Sequence, residues 1–145
     1  MYLDANLQFD STVNLTTTVV STNVIDLGVN RDIGVGADPA LKLLVILGNA
    51  FTSTNSATLN IGFQTSTNNS TWATIVETSA LATSLLLAST KVFEIDVPRN
   101  GLTRYLRLNY VVGTGIMTTG SIQYAGIILD RADLPYYASG FTVSN

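Results

Sequence analysis

Glu94 and Asp96 are the pair of side chains with the most obvious capacity for chemistry. Two positions apart, they leave the same face of an extended chain, and paired carboxylates at the right separation perform acid–base and glycosidase reactions. The competing reading is a solvated strand face, and the rest of the sequence favours it. There is no histidine and no cysteine. The commonest general base, the commonest metal ligand, thiolate nucleophiles and disulfides are therefore all missing. Any enzyme would have to work with carboxylates, Tyr, Lys or hydroxyls alone, so the expectation is no enzyme, no metal and no cofactor. Asp130 and Asp133 flank Arg131, where oxygen ligands for calcium are conceivable, but no loop of regularly spaced acids supports such a site. Gly34-Val35-Gly36 and Gly113-Thr114-Gly115 lack the Lys-Ser/Thr sequel of a phosphate-binding loop and read as turns.

Three other residues invite a binding reading. Trp72, the single tryptophan, follows the polar run 65–70 and could be a platform for a sugar ring, although a rim or core position of a sandwich is the commoner use. Arg104 and Arg107 lie in an otherwise apolar segment. In a protein with few charges they are expected to be paired, either with an acid on a neighbouring strand or across a subunit interface. Asp4, Asp10, Asp26, Asp32 and Asp38 are spread through segments that read as turns.

The elements that must position these residues are strands. Alternation of apolar and polar side chains marks residues 57–65, with Leu59, Ile61 and Phe63 on one face. The same pattern marks 91–97, with Phe93, Ile95 and Val97, and 104–112, with Leu106, Leu108, Tyr110 and Val112. Residues 41–47 and the later part of 121–130 are apolar on both faces, as in a central strand covered on each side. Weaker candidates are 13–20, 24–27 and 72–78, and 79–89 fits either a short helix or a bulged strand. Turn chemistry separates them, most clearly at Pro98-Arg99-Asn100-Gly101. Eight or nine short strands in 145 residues predict an all-β fold, a jelly-roll β-sandwich of about eight antiparallel strands in a single domain spanning 1–145.

Composition restricts the partners. Only 12% of residues are charged while 46% are hydrophobic, and Thr, Ser and Asn supply 20, 12 and 12 positions. Seven basic residues scattered among ten acids form no patch for phosphates, so no nucleic acid is expected. The start, Met1-Tyr2-Leu3-Asp4, lacks the charged and apolar regions of a secretory leader, and no apolar run is long enough for a membrane helix. A charge-poor, hydroxyl-rich surface suits permanent protein contacts, where few charges have to be desolvated. Chain ends that carry apolar groups are candidates for such contacts. Residues 1–10, with Tyr2, Leu3, Leu7 and Phe9, and residues 131–145, with Tyr136, Tyr137 and Phe141, are expected to act as interaction arms. The commoner use of such a tail is to lie back over its own sandwich.

Several segments resemble a known family. Residues 1–7, the stretch Ser21-Thr22-Asn23-Val24-Ile25-Asp26-Leu27-Gly28 with Arg31-Asp32-Ile33-Gly34, and the block Arg104-Tyr105-Leu106-Arg107-Leu108-Asn109-Tyr110 are similar to the jelly-roll capsid cement, or decoration, proteins of tailed bacteriophages of the Bordetella-phage type. Gly113-Thr114 and Ala125-Gly126-Ile127-Ile128-Leu129-Asp130 continue the likeness. The resemblance implies a structural virion protein that binds the outer surface of the icosahedral capsid as a dimer and clamps neighbouring major capsid subunits. Its partners would then be the major capsid protein and a second copy. A carbohydrate-binding sandwich from a phage tail, using Trp72 and the Asn/Ser/Thr loop, is the alternative.

Overall fold

The computed structural model describes residues 5–31, 33 and 40–129. Two antiparallel sheets face each other. The first has the order β1 (Gln8–Asn14), β12 (Ser121–Leu129), β4 (Leu41–Leu47) and β9 (Lys91–Asp96). In the second, β10 (Tyr105–Gly113) and β6 (Thr58–Ser66) form the centre. Beside β10 lie β2 (Val19–Val20) and β3 (Ile25–Asp26), two pieces of one edge; beside β6 lie β7 (Ala73–Glu77) and β8 (Leu81–Ala82), two pieces of the other. A two-stranded ribbon, β5 (Thr52–Ser53) with β11 (Met117–Thr119), completes the set.

With the split edges counted as single strands and the β5–β11 ribbon set aside, the chain pairs its first strand with its last, its second with its next to last, and so on inward to β6 with its own successor. That pairing is a hairpin of strands wound around a barrel axis, the jelly roll expected from strand count and spacing. The alternating windows found in the sequence form β6, β9 and β10 within a residue at each end, and β4 matches its predicted bounds.

The core lies between the sheets. Leu59, Ile61 and Phe63 of β6 and Leu106, Leu108 and Tyr110 of β10 meet Phe9, Leu43, Val45, Leu47, Ile122 and Ile127 from the first sheet. The Phe9 and Phe63 rings cross the sandwich edge to face, with centroids 6.1 Å apart. The two-sided apolar character of β4 and β12 also has its explanation. Both are inner strands of their sheet, and Leu44, Tyr124 and Ile128 build a second buried cluster with Ile46 packed against it.

Three segments depart from the sequence reading. Residues 13–20 do not form one strand: β1 starts earlier, at Gln8, and β2 is only Val19–Val20. The ambiguous stretch 79–89 resolves into β8 followed by a 3-10 turn at Thr83–Leu85. Asp10 is not a turn acid but a buried residue of β1. Its carboxylate accepts hydrogen bonds from the Tyr110 hydroxyl at 2.7 Å and the Thr22 backbone N–H at 2.8 Å.

Registers fix the ends of the molecule. Asn14 pairs with Ser121, Ile122 with Leu47, and Gly113 with Thr58, so the connections 15–18, 48–57, 83–90 and 114–120 all emerge at one end. At the opposite end Gln8 pairs with Gly126 and Leu129 with Leu41.

Candidate functional site

On the outer face of the second sheet, three polar side chains form a row across three strands. Arg107 of β10 pairs in register with Gln64 of β6, which pairs with Thr74 of β7. Arg107 Nε donates to Gln64 Oε1 at 2.8 Å, and Gln64 Nε2 donates to Thr74 Oγ1 at 3.0 Å. The guanidinium packs over the Trp72 ring, 4.1 Å from its centroid. Burial lowers the Arg107 pKa from its ordinary value, because the charged form loses hydration there.

Beside the row, Trp72 lines a shallow groove of about 200 Å³ together with Thr65, Ser66, Thr67, Thr71, Ala73 and Thr103. Its rim is the loop that precedes β7. Asn68 holds that loop, its Oδ1 accepting from the backbone N–H groups of Ser70 and Thr71 at 2.9 and 2.8 Å. An indole beside fixed hydroxyls can stack on the apolar face of a sugar ring, which is the chemistry the sequence suggested for Trp72.

Arg104 occupies a different environment. Its Nε and Nη2 each donate to one oxygen of Asp26 at 2.8 Å, a two-pronged ion pair between β3 and the start of β10. The hydrogen bond from Arg104, with help from the Gly28 N–H, holds the Asp26 carboxyl down at about 2. Of the two pairings expected for Arg104, the structure contains the one within the chain. Arg107 is bonded to an amide and an aromatic ring instead.

Glu94 and Asp96 do project from one face of β9, yet each has a lysine beside it. Lys91 Nζ is 2.7 Å from Glu94, and Lys42 Nζ is 3.3 Å from Asp96. Each carboxylate is therefore engaged in an ion pair with a lysine on the same sheet. Among the described residues no group of three or more acids could hold a metal ion, and no helix is long and apolar enough to cross a membrane.

The expected arm residues divide. Phe9 has no exposed surface and belongs to the core, so its assignment as a partner contact is corrected: β1 uses that side chain to bridge the sheets. Leu7 is half-buried and packs against the same core. Tyr2, Leu3, Tyr136, Tyr137 and Phe141, the tail 131–145, and Asp4, Asp32, Asp38, Asp130, Asp133 and the Gly34–Gly36 turn lie outside the described residues.

A family model describes this sequence, Bbp16, matching residues 9–127. The chain belongs to the Bbp16 family. That name marks a Bordetella phage protein, and the match begins within β1 and ends within β12, so it takes in every strand of the sandwich and not one motif. Membership agrees with the phage origin that the resemblance implies. No curated protein matches the chain.

The sequence reading missed one surface. Leu85, Leu87 and Ile116 are 61%, 58% and 63% exposed, and all three lie in connections at the same end of the sandwich. Nearby, Asn14, Thr16, Asn49, Thr118, Thr119 and Gly120 line a hollow of about 280 Å³. The available signal was the distribution of charge. Residues 11–25, 43–76, 78–90 and 108–129 contain no Asp, Glu, Lys or Arg.

Proposed function

We propose that this Bbp16-family chain is a capsid cement protein, a structural virion component that binds the outer surface of a tailed-phage icosahedral shell and clamps neighbouring major capsid subunits. The observation that carries the reading is the family match over 9–127, which coincides with a complete jelly roll. Composition supports it, because a chain with only 12% charged residues can enter permanent contacts with little desolvation cost. Many copies on a lattice turn modest contacts into firm retention. The clamp works as a pair of sandwiches, with Tyr2, Leu3, Tyr136, Tyr137 and Phe141 as bridging contacts and apolar burial as the main attraction.

Co-sedimentation with expanded shells of the encoding phage, in low and high salt, tests this. Saturable binding that persists in high salt is expected, since apolar contacts are not screened as ion pairs are. Deletion of 134–145 is expected to abolish it and to leave the sandwich folded. Absence of binding by the intact chain overturns the proposal.

The Trp72 groove favours a second reading, a carbohydrate-binding sandwich of a phage tail. A glycan array decides: binding that disappears in Trp72→Ala establishes it, and an array without signal removes it.

A further inference from the structure

We propose that Asn100, in the turn between β9 and β10, is a site of self-modification. Its side-chain amide is lost by attack of the Gly101 nitrogen, and the residue becomes aspartate or isoaspartate. The proposal is independent of the cement reading and requires no enzyme, cofactor or partner.

Sequence supplies the first condition. Of twelve asparagines, Asn100 is the single one followed by glycine. Ring closure carries the backbone nitrogen of the following residue onto the asparagine Cγ, and glycine opposes that approach least because it has no Cβ. The turn supplies the second condition. Gly101 has φ of 91°, so the turn itself selects the glycine that makes Asn100 reactive. Both residues are exposed, and a Cβ at Gly101 would meet no atom within 4 Å, which leaves room for a five-membered ring. Neither the Asn100 amide nor the Gly101 N–H has a hydrogen-bond partner among the described residues. The flanks, by contrast, are held. Val97 and Leu102 are buried, Val97 N–H donates to Leu41 O at 2.8 Å, and Thr103 N–H donates to Thr65 Oγ1 at 2.9 Å.

The loop at Asn68 and Asn69 is equally exposed and shows the opposite arrangement. Asn68 Oδ1 accepts from Ser66 Oγ at 3.0 Å and from the Ser70 and Thr71 N–H groups at 2.9 and 2.8 Å. The Ser70 nitrogen, which would have to attack Asn69, is thereby engaged.

The chemistry balances with water alone. Hydroxide removes the Gly101 amide proton, and the nitrogen forms a bond to Cγ. The Cγ–Nδ2 bond then breaks, and ammonia leaves with a proton taken from solvent. Water opens the resulting succinimide at either carbonyl. Opening at Cγ gives aspartate; opening at the main-chain carbonyl gives isoaspartate. Each product places a new carboxylate beside Arg99 and makes the chain one unit more negative than −3. Isoaspartate also inserts one carbon into a connection whose two flanks are fixed, so the site records the time since synthesis in both charge and backbone.

The test is incubation of the folded full chain in mildly acidic and mildly alkaline buffer, followed by peptide mapping with fragmentation that separates aspartate from isoaspartate. The expected result is a gain of one mass unit at Asn100, at least tenfold faster than at any other described asparagine. It should be faster in the alkaline buffer and include isoaspartate. Gly101→Ala is expected to slow it at least tenfold. Should alanine at that positive φ disturb the turn, Asn100→Gln serves instead and is expected to lose the acidic species that wild type accumulates. A folded chain that keeps Asn100 intact overturns the proposal, whether or not the urea-unfolded chain converts there. Equal conversion at a second asparagine overturns it too, as does aspartate formed without isoaspartate.

Discussion

Asp10 and Tyr110 show how a single buried pair links the sheets. A carboxylate inside the sandwich is tolerated only because the Tyr110 hydroxyl and the Thr22 N–H supply its hydrogen bonds. Burial, then the Asp10 charge, then the hydrogen bond push the Tyr110 phenol well above its ordinary 10.0. A raised folded value means that the folded state keeps this proton while the unfolded chain releases it. The stabilisation is complete below about pH 10 and falls as pH climbs towards the folded value. Tyr110→Phe is expected to cost about 1–3 kcal/mol near neutral pH by stripping a buried acceptor of its donor. The difference from wild type should shrink in urea titrations above pH 10. A difference that stays constant there contradicts the assignment. Nothing local in Phe9-Asp10-Ser11 distinguishes a core acid from a turn acid, because its partner is a hundred residues away. Arg104 was more legible: an arginine in a charge-poor strand needs an acid, and Asp26 supplies it.

Elements were legible where alternation was uninterrupted. β6 and β10 pair over nine consecutive positions without a register shift, so their periodicity survives in the sequence. β1 does not have that regularity. Its register shifts between Gln8 and Asp10, Thr12 has φ of 54°, and the neighbours Phe9 and Asp10 are both buried. A bulge puts consecutive side chains on the same side, which disguises a strand as an irregular chain end. That is why residues up to 10 resembled a free arm. Phe9→Ala is expected to destabilise the fold by about 3–5 kcal/mol, measured by urea unfolding, as a large side chain is removed from a full core. A loss below 1 kcal/mol would return Phe9 to the surface.

At the scale of the whole molecule, fold class followed from β-branched composition, frequent turns and strand count, and the jelly roll from how many strands fit the length. The end where the connections 15–18, 48–57, 83–90 and 114–120 gather was not legible in the same way. Its connections are up to a hundred residues apart in sequence, and only the nested pairing of strands gathers them. Each connection alone looks like an ordinary loop in which small polar residues surround a few apolar ones. Their meaning depends on being neighbours, and neighbourhood is what the topology supplies.

The same nesting has a practical corollary. The described chain enters through Gln8 and leaves through Leu129 on adjoining antiparallel strands, at the end remote from the uncharged connections. Gln8 and Leu129 therefore sit on one side of the sandwich, and a segment joined directly to either of them starts out on that side, away from the connections at the opposite pole.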